Sequence, residues 1–318
     1  MFRKNVSLSS HSNYLIGGTA KFFYEAKTIP DLKESLLSAL KDKQNIFLLG
    51  GGTNILFSDS GFDGLVIKPA LSYIKKISNT KLKIGAGTPV SELLSYTINH
   101  ELSGLEWAGG LPGTLGVAIR GNAGCFGGEI KDIVKSVSAL KYSLNRFLKI
   151  DNKAMAVENF SNKECGFGYR DSLFKKNSDY IILEAELLLK KGEKTKIKKA
   201  IQEKIDYRNN RHPMEYPSIG SIFKNVPVDL IQKSVASKLK DVIKTDPFPV
   251  VPAAYLVSES GLKGVSYGGA MISPKHPNFI VNVQGASATD VQSLIWLAKN
   301  KVKEKFGIDL EEEVIILS

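Results

Sequence analysis

The sequence predicts an α+β fold made of more than one structural unit, and three observations support this prediction. Strand and helix patterns alternate in the first part of the chain, short β-like runs dominate from Val134 to Leu189, and helix and strand patterns return after Tyr207. Apolar residues recur every three or four positions in an amphipathic helix and every second position in a half-buried strand. A chain of 318 residues is long enough to bury the cores of two or three such units.

The first part of the chain predicts a βαβ unit followed by further strands and a second helix. A helix is expected from Pro30 to Asp42, because its leucines recur on one face and proline suits a first helical turn. A second helix is expected to begin at Thr88-Pro89. The strands predicted from short apolar runs are Phe22 to Ala26, Ile46 to Leu49, Ile55 to Phe57, Leu65 to Ile67 and Leu82 to Ile84.

The later part contains a basic helix, a change of character and a last group of elements. Lys190 to Lys204 is rich in lysine and has apolar residues on one side, which predicts a helix. Arg208 to Ser221 has two prolines and no periodicity, which is typical of a linker or binding loop. The other predicted elements are strands at Val137 to Tyr142, Tyr180 to Leu189, Phe279 to Val283 and Val314 to Leu317, and helices from Pro252 to Ser260 and from Thr289 to Gly307.

The change near Tyr207 sets the predicted domain boundary. We expect a first domain over residues 1–206, with subdomains of about 1–70 and 71–206, and a second domain over residues 207–318.

Composition excludes several classes of protein. Only Cys125 and Cys165 are present, without metal-ligand spacing, so neither a disulfide scaffold nor a metal site is predicted. No apolar run approaches the roughly 20 residues of a membrane span, and the polar start from Met1 to Ser12 lacks a signal-peptide core, so a cytoplasmic protein is expected. The net charge of +11 fits nucleic acid, anionic lipid or a phosphorylated small molecule, but no recognition helix or aromatic basic groove accompanies it.

Two glycine-rich loops suit a dinucleotide. Gly50, Gly51 and Gly52 follow a strand directly and precede Thr53 and Asn54, and their backbone amides can turn toward an anion. The spacing matches neither a Rossmann fingerprint nor a phosphate loop, and a tight turn between strands is the structural alternative. A second glycine cluster between Gly109 and Gly124 contains little charge, so its backbone can approach a large flat ligand.

An ordered series of motifs resembles the UDP-N-acetylenolpyruvoylglucosamine reductases, which are flavoproteins. The resemblance covers nearly the whole chain. The chain is similar to the form of the family that lacks an inserted tyrosine loop. The matching segments are Ile16 to Gly18, Gly50 to Asn54, Gly109 to Gly113, Asn122 to Gly124, Gly168 to Ser172, Gly220 to Asn225, Ser260 to Gly264, Lys275 to Phe279 and Leu310 to Val314.

The resemblance implies an FAD-binding domain of the vanillyl-alcohol-oxidase type with two α/β subdomains, followed by a smaller α+β substrate-binding domain. It implies non-covalent FAD, NADPH as reductant, and reduction of UDP-N-acetylglucosamine enolpyruvate to UDP-N-acetylmuramate by a monomer, with small molecules as its partners. The cofactor-binding residues that it implies are Gly50, Gly51, Gly52, Thr53, Asn54, Gly113, Thr114, Asn122, Ala123 and Gly124.

The resemblance also assigns the chemistry, in which hydride passes from flavin N5 to the enolpyruvyl CH₂ carbon. Arg170 is expected to hold the substrate carboxylate, Ser221 to give a proton to the neighbouring carbon, and Glu313 to complete the catalytic set. A surface ion pair, a turn serine and a solvated acidic run are the structural alternatives for these three. The expected substrate-binding residues are Tyr169, Arg211, Lys224 and Asn225.

The chain departs from the family pattern at Val117, Arg120 and His212. His276 is expected to be structural, and Cys125 is not expected to bind flavin covalently. Two alternative functions stay open at this point. One is an FAD-dependent oxidase or dehydrogenase of alcohols or sugars on the same fold, which has no need for the three catalytic residues together. The other is a non-enzymatic nucleotide- or nucleic-acid-binding protein, suggested by the positive charge.

Overall fold

The computed structural model describes residues 2–142, 155–245 and 248–317, which form two compact units. The first unit contains Met1–Val6, Ala20–Gly51 and Phe62–Tyr207, and the second contains Ser7–Thr19, Gly52–Gly61 and Arg208–Ser318. The predicted domains are continuous in sequence, whereas the second unit is assembled from three segments. Met1 and Ser318, where the predicted domains begin and end, lie outside the described residues.

The elements are numbered in chain order. The strands are β1 (Arg3–Ser7), β2 (Thr19–Ala26), β3 (Asn45–Leu48), β4 (Ile55–Phe57), β5 (Phe62–Pro69), β6 (Ile74–Lys76), β7 (Lys81–Gly85), β8 (Leu102–Ser103), β9 (Gly124–Cys125), β10 (Gly128–Glu129), β11 (Val134–Lys141), β12 (Val157–Ser161), β13 (Tyr180–Leu188), β14 (Lys190–Lys191), β15 (Val226–Pro227), β16 (Val250–Val251), β17 (Ser266–Tyr267), β18 (Ala270–Ile272), β19 (Ile280–Asn282) and β20 (Ile315–Leu317). The helices are α1 (Ile29–Lys41), α2 (Val90–Asn99), α3 (Leu115–Arg120), α4 (Leu173–Lys176), α5 (Lys194–Arg211), α6 (Lys233–Lys238), α7 (Ala253–Glu259) and α8 (Ala288–Phe306).

A parallel arrangement organises the first sheet of the first unit. Its strand order is β1-β2-β5-β3, and both β2 and β3 run parallel to β5. The predicted βαβ unit is therefore present, with β5 lying between its two strands. Leu65, Val66 and Ile67 of β5 are fully buried, as is typical of a central strand in a parallel arrangement. Helix α1 begins with a capping box between Thr28 and Asp31 and contributes Leu32 and Leu36 to the same core.

The second sheet of this unit is antiparallel and separates two cores. Its order is β12-β11-β13-β7-β6. Successive side chains point to opposite faces of a strand. Leu140 and its partner Ile181 accordingly belong to the core that contains α1, whereas the preceding pair, Ala139 and Ile182, belongs to the core that contains residues of α2 and α3.

The basic helix differs from its predicted bounds. It was expected from Lys190 to Lys204, but α5 begins at Lys194 and continues to Arg211. Lys190 and Lys191 pair instead with β8, which removes them from the helix. The C-terminal limit agrees with Pro213, because the residue before a proline disfavours helical backbone. The first turn of the predicted linker from Arg208 to Ser221 is therefore helical, which corrects that prediction.

The second unit has α7 and α8 in one core with the sheet β17-β18-β19. Helix α8 matches its prediction closely, with a Ser287–Asp290 capping box at its start and Gly307 in a left-handed conformation (φ 67°) at its end. Strand β4 pairs in parallel with β20, which joins the segment Gly52–Gly61 to the C-terminal segment of the same unit.

A carboxylate from that early segment also satisfies the first amides of α8. Asp59 accepts hydrogen bonds from the amides of Ala288 (2.7 Å) and Thr289 (3.0 Å) and from the Thr289 hydroxyl (2.9 Å). These amides have no partner within the helix, so a carboxylate there stabilises its start.

We expect Asp59→Ala to lower the free energy of unfolding by about 1 kcal/mol, the usual cost of losing a helix cap. Urea denaturation provides the measurement. Asp63→Ala is the matched control, since Asp63 pairs with Lys21 where both side chains are well exposed, and such a pair contributes about 0.5 kcal/mol or less. Equal losses in the two variants would contradict the capping role.

Candidate functional site

Gly50 and Gly51 of the first predicted glycine loop lie against the second glycine cluster within the first unit. A Cβ atom built on Gly51 would lie 3.0 Å from Cα of Gly113. A Cβ atom built on Gly50 would lie 2.2 Å from Cγ2 of Val117, a distance that no real contact permits. The close approach therefore requires glycine at Gly50, and Val117 occupies the space that a side chain would need.

The amides of these loops fit an anionic ligand. Within the described part of the first unit, the N–H groups of Gly50, Gly51, Gly113 and Thr114 have no hydrogen-bond acceptor. Neighbouring bare amides can bind an anion such as a diphosphate. The residues present thus fit the diphosphate of FAD, and the glycines leave the backbone accessible to it.

Asn122 connects the second glycine cluster to the segment that contains Arg170. Its side chain is fully buried, donates to the carbonyl of Gly168 (2.9 Å) and accepts from the amide of Lys131 (3.2 Å). The Gly124 carbonyl accepts from Nη2 of Arg170 (2.8 Å). Ala123 donates its amide to Ala118 (2.8 Å). A predicted cofactor segment and the predicted carboxylate-binding arginine are therefore in direct contact.

The backbone of Arg170 is held in an uncommon conformation. Its φ is 54°, a region that costs free energy for any residue with a Cβ atom and that is frequent at functional sites. Gly168 and Asp171 close a tight turn around it through two backbone hydrogen bonds (3.0 and 3.3 Å). The guanidinium lies 5.3 Å from the ring centre of Tyr169, and Lys175 donates to the Arg170 carbonyl (2.8 Å). The turn thus fixes the point from which the guanidinium projects.

In the second unit, Ser221 and Glu313 lie on two segments that pair with each other. The amide of Glu313 donates to the carbonyl of Ile222 (2.8 Å), and the amide of Lys224 donates to the carbonyl of Glu311 (2.9 Å). This short antiparallel pairing brings together two motifs that are remote in sequence. Among the described residues the Ser221 hydroxyl has no hydrogen-bond partner.

The three glutamates of the acidic triplet differ in their contacts. Glu311 forms an ion pair with Lys224, and Glu312 forms one with Lys299 (2.8 Å). The carbonyl of Glu313 accepts from Nδ2 of Asn54 (3.1 Å). The side chain of Asn54, predicted to bind the cofactor, therefore holds the backbone beside a predicted catalytic residue.

The remaining predicted residues occupy different positions. Thr53 is half-buried between Gly52 and Asn54, and Arg211 is the exposed last residue of α5. Asn225 accepts from the amide of Ala253 (3.1 Å) at the start of α7, and its NH₂ group can donate to a ligand. The predicted residues divide between the units as follows: Gly50, Gly51, Gly113, Thr114, Asn122, Ala123, Gly124, Tyr169 and Arg170 are in the first, and Gly52, Thr53, Asn54, Arg211, Ser221, Lys224, Asn225 and Glu313 are in the second.

Asn278 is a residue of this region that the sequence analysis did not single out. It is buried, accepts from the amide of Phe223 (3.0 Å) through Oδ1 and donates to the carbonyl of Phe223 (2.8 Å) through Nδ2. The available signal is an amide side chain directly before the apolar residues Phe279, Ile280 and Val281, where a buried polar group needs partners.

His212 and His276 form an aromatic cluster with Phe279. The two imidazole rings are 5.1 Å apart, and each lies within 5.0 Å of the Phe279 ring. Burial, followed by the positive charges that His276, Arg208 and Lys275 can bear, lowers the pKa of His212 to about 4. Burial also lowers the pKa of His276. The unusual His212 is therefore neutral at neutral pH and packs as an aromatic ring.

The two cysteines do not form a disulfide with each other. Cys125 donates its thiol hydrogen to the Trp107 carbonyl (3.3 Å), and burial raises the pKa of Cys165 to about 12. The Cys165 thiol is therefore protonated at neutral pH.

Comparison with known proteins decides the family. The chain is 35% identical to the UDP-N-acetylenolpyruvoylglucosamine reductase of Carboxydothermus hydrogenoformans over 99% of this chain and 93% of that protein. It is 36% identical to the reductase of the same name from Clostridioides difficile over 98% of this chain and 91% of that protein. The chain belongs to the UDP-N-acetylenolpyruvoylglucosamine reductase family.

Domain models and a crystal structure agree with this assignment. Residues 212–317 match the C-terminal domain of the family, and residues 20–145 match an FAD-binding domain. The crystal structure of the reductase from Thermus caldophilus covers 100% of both chains with a TM-score of 0.75 and 28% identity. The predicted fold class, an FAD-binding domain followed by a smaller α+β domain, is confirmed. No helix in the described residues has both the length and the apolar composition of a membrane span.

The lowered pKa of His212 predicts a pH dependence of stability. The unfolded chain takes up a proton near the usual pKa of 6.5, whereas the folded chain does so near 4. The contribution of neutral His212 to the free energy of unfolding is therefore fully present above about pH 6.5. It is lost as the pH falls toward 4, because the unfolded chain then binds the proton more readily than the folded chain. We expect His212→Gln to reduce the loss of unfolding free energy between pH 7.5 and pH 5, measured by urea denaturation.

His100→Gln, at the exposed end of α2, is the matched control for the loss of a histidine, and the effect of His212→Gln is read relative to it. If the free energy of unfolding of His212→Gln falls with decreasing pH as steeply as that of wild type, the pKa of His212 does not differ between the folded and unfolded chains.

Proposed function

We propose that this chain reduces UDP-N-acetylglucosamine enolpyruvate to UDP-N-acetylmuramate with NADPH as the reductant and FAD as the bound cofactor, in peptidoglycan precursor synthesis. We further propose that it acts as a cytoplasmic monomer. Membership of the family supports the substrate and the cofactor. The single observation that carries the proposal is the pairing of Ile222 and Lys224 with Glu313 and Glu311, which brings the family's serine and glutamate motifs side by side.

FAD would be held by the glycine loops. The bare amides of Gly50, Gly51, Gly113 and Thr114 in the first unit suit its diphosphate, and the other residues that the family resemblance assigns to the cofactor are Gly52, Thr53, Asn54, Asn122, Ala123 and Gly124. When bound, the flavin supplies a hydride that originates from NADPH.

Arg170 would hold the enolpyruvyl carboxylate. Hydride addition to the alkene increases negative charge next to this carboxylate, so a cation there stabilises the transition state more than the ground state. A guanidinium has five N–H donors in a planar fork and can bind a carboxylate through two of them, which a lysine cannot reproduce. The turn at Gly168 to Asp171 aims the side chain, and Tyr169 lies beneath the guanidinium.

Ser221 would donate the proton to the carbon next to the carboxylate, and Glu313 would complete the catalytic set. The hydroxyl has no partner among the described residues, which leaves its donor for a substrate. An alcohol is a weak acid, so positive charge nearby must stabilise its oxygen as the proton leaves. Lys224 would supply this charge, but it pairs with Glu311 in this structure, so an anionic substrate must compete with that carboxylate.

Arg211 and Asn225 would bind the diphosphate and neighbouring polar groups of the substrate. Arg211 is exposed at the end of α5, where a cation can attract an anion from solution. Asn225 can offer its NH₂ group, since its carbonyl oxygen is bonded to Ala253.

The decisive experiment separates the two half-reactions. Purified protein is reduced anaerobically with NADPH, and the enolpyruvyl substrate is then added while flavin absorbance is followed. We expect bleaching by NADPH and recovery on addition of the substrate. Reduction without recovery, together with oxygen-dependent oxidation of an alcohol or sugar, would overturn the proposal in favour of an oxidase.

We expect Ser221→Ala to keep the bound flavin and its reduction by NADPH but to slow reoxidation by the substrate about 10²-fold or more, because only the proton donor is lost. Stopped-flow absorbance measures both steps. Ser218→Ala, three residues earlier in the same loop, serves as the control and should reoxidise at the wild-type rate. Unchanged turnover in Ser221→Ala would remove Ser221 from the mechanism.

The glycine loops give a second test. Gly50→Ala places a Cβ atom against Val117, so we expect a lower FAD content after gel filtration and a lower midpoint of thermal unfolding. Val117→Gly in the same chain removes the obstructing methyl group and should restore both quantities. Gly121→Ala is the control, because its new Cβ would lie at an ordinary 3.7 Å from the nearest atom. Full FAD content in Gly50→Ala would contradict a cofactor site at this loop.

A further inference from the structure

The backbone that follows Ser221 is held without belonging to a regular strand. Ile222 and Phe223 are buried, so their polar backbone groups need partners inside the protein. The Ile222 amide donates to the carbonyl of Asn278 (2.8 Å), and the Ile222 carbonyl accepts from the amide of Glu313 (2.8 Å). Both proposed catalytic residues of this unit are thus positioned relative to Ile222.

The side chain of Asn278 replaces a strand neighbour at the next residue. Its Oδ1 accepts from the Phe223 amide (3.0 Å) and its Nδ2 donates to the Phe223 carbonyl (2.8 Å). A primary amide offers an acceptor and a donor side by side, as a peptide group does, whereas a carboxylate offers acceptors only. Asn278 is only 4% exposed, so water cannot take over these two hydrogen bonds.

We propose that Asn278 is a positioning residue for proton donation by Ser221. The side-chain amide of Asn278 holds the backbone of Phe223, and the backbone carbonyl of Asn278 holds the amide of Ile222. Together these hydrogen bonds fix the position of the backbone from which the Ser221 side chain projects. Gly220 precedes Ser221 at φ 87°, and a Cβ atom built on it would meet nothing within 4 Å, so Gly220 itself does not hold the serine by packing. Displacement by about 1 Å of a group that transfers a proton is enough to slow the step strongly. This inference rests on the proposed function.

The test compares two buried asparagines of the same unit. Asn282 also makes two side-chain hydrogen bonds to backbone, to the carbonyl of Tyr14 (3.0 Å) and the amide of Ala286 (2.8 Å), and it is 8% exposed. We expect Asn278→Ala to slow flavin reoxidation by the enolpyruvyl substrate at least tenfold, with reduction by NADPH within twofold of wild type. Asn282→Ala should lower the midpoint of thermal unfolding comparably but reoxidise within twofold of wild type.

Asn278→Asp provides a readout that general destabilisation would not give. A protonated carboxylic acid has one O–H donor and one carbonyl acceptor and can replace the amide, whereas the ionised form cannot donate. Burial favours the protonated form at this position. We therefore expect the reoxidation rate of Asn278→Asp, relative to wild type at the same pH, to rise as the pH falls. This variant carries the test if Asn278→Ala does not fold.

The outcomes separate the inference from the function on which it rests. If reduced wild-type protein is not reoxidised by the enolpyruvyl substrate, the proposed function fails and the inference fails with it. If wild type is reoxidised but both alanine variants are slowed alike, only the inference fails. A rate for Asn278→Asp that follows wild type at every pH would also overturn the role of Asn278.

Discussion

The need to pair buried backbone groups outside regular strands is the constraint on which the candidate residues of each unit depend. Loops that approach a ligand cannot be strands of a sheet, yet their amides and carbonyls lose water when they are buried. Polar side chains supply the missing partners. Asn122 bonds Gly168, Ser172 bonds the carbonyl of Arg120 (2.7 Å), and Asn278 bonds Phe223. The amides are suited to this because each contains both a donor and an acceptor.

The same constraint explains why uncommon backbone conformations accumulate near the candidate residues. Asn122 (φ 41°), Phe126 (φ 52°) and Arg170 (φ 54°) all have left-handed backbone in the first unit. Each such residue costs roughly 1 kcal/mol or more, so the surrounding contacts must outweigh that cost. At Arg170 these contacts are the closed turn, the bond to Gly124 and the lysine on its carbonyl. The strain persists where a side chain has to project from a fixed point.

Hydrophobic periodicity predicted the helices that are stabilised by contacts within their own segment. It was less informative for segments whose structure depends on pairing with a distant part of the chain. Helices α1 and α8 were predicted nearly to the residue because each has a capping box and a continuous apolar face. The basic helix was displaced because Lys190 pairs with Ser103, which no local pattern shows. The runs at β4 and β5 were both predicted as strands, but nothing in either run indicates that β4 pairs with β20 in the second unit while β5 is central to the first.

The candidate site shows the same division. Motifs identified Arg170, Ser221 and Glu313 as residue types suited to holding a carboxylate and moving a proton, and whether they perform these roles stays a prediction. Asn278 lies within the matching segment Lys275 to Phe279, but the motif does not show its role, because an asparagine that replaces a peptide group is recognised by the geometry of its partner and not by its neighbours in sequence. Val117 is similar: it marks a departure from the family pattern in the sequence, and only the structure shows that its methyl group fills the space above Gly50. Substitutions of Gly50 and Val117 should therefore be compared singly and in combination, because the effects of residues in direct contact are not additive.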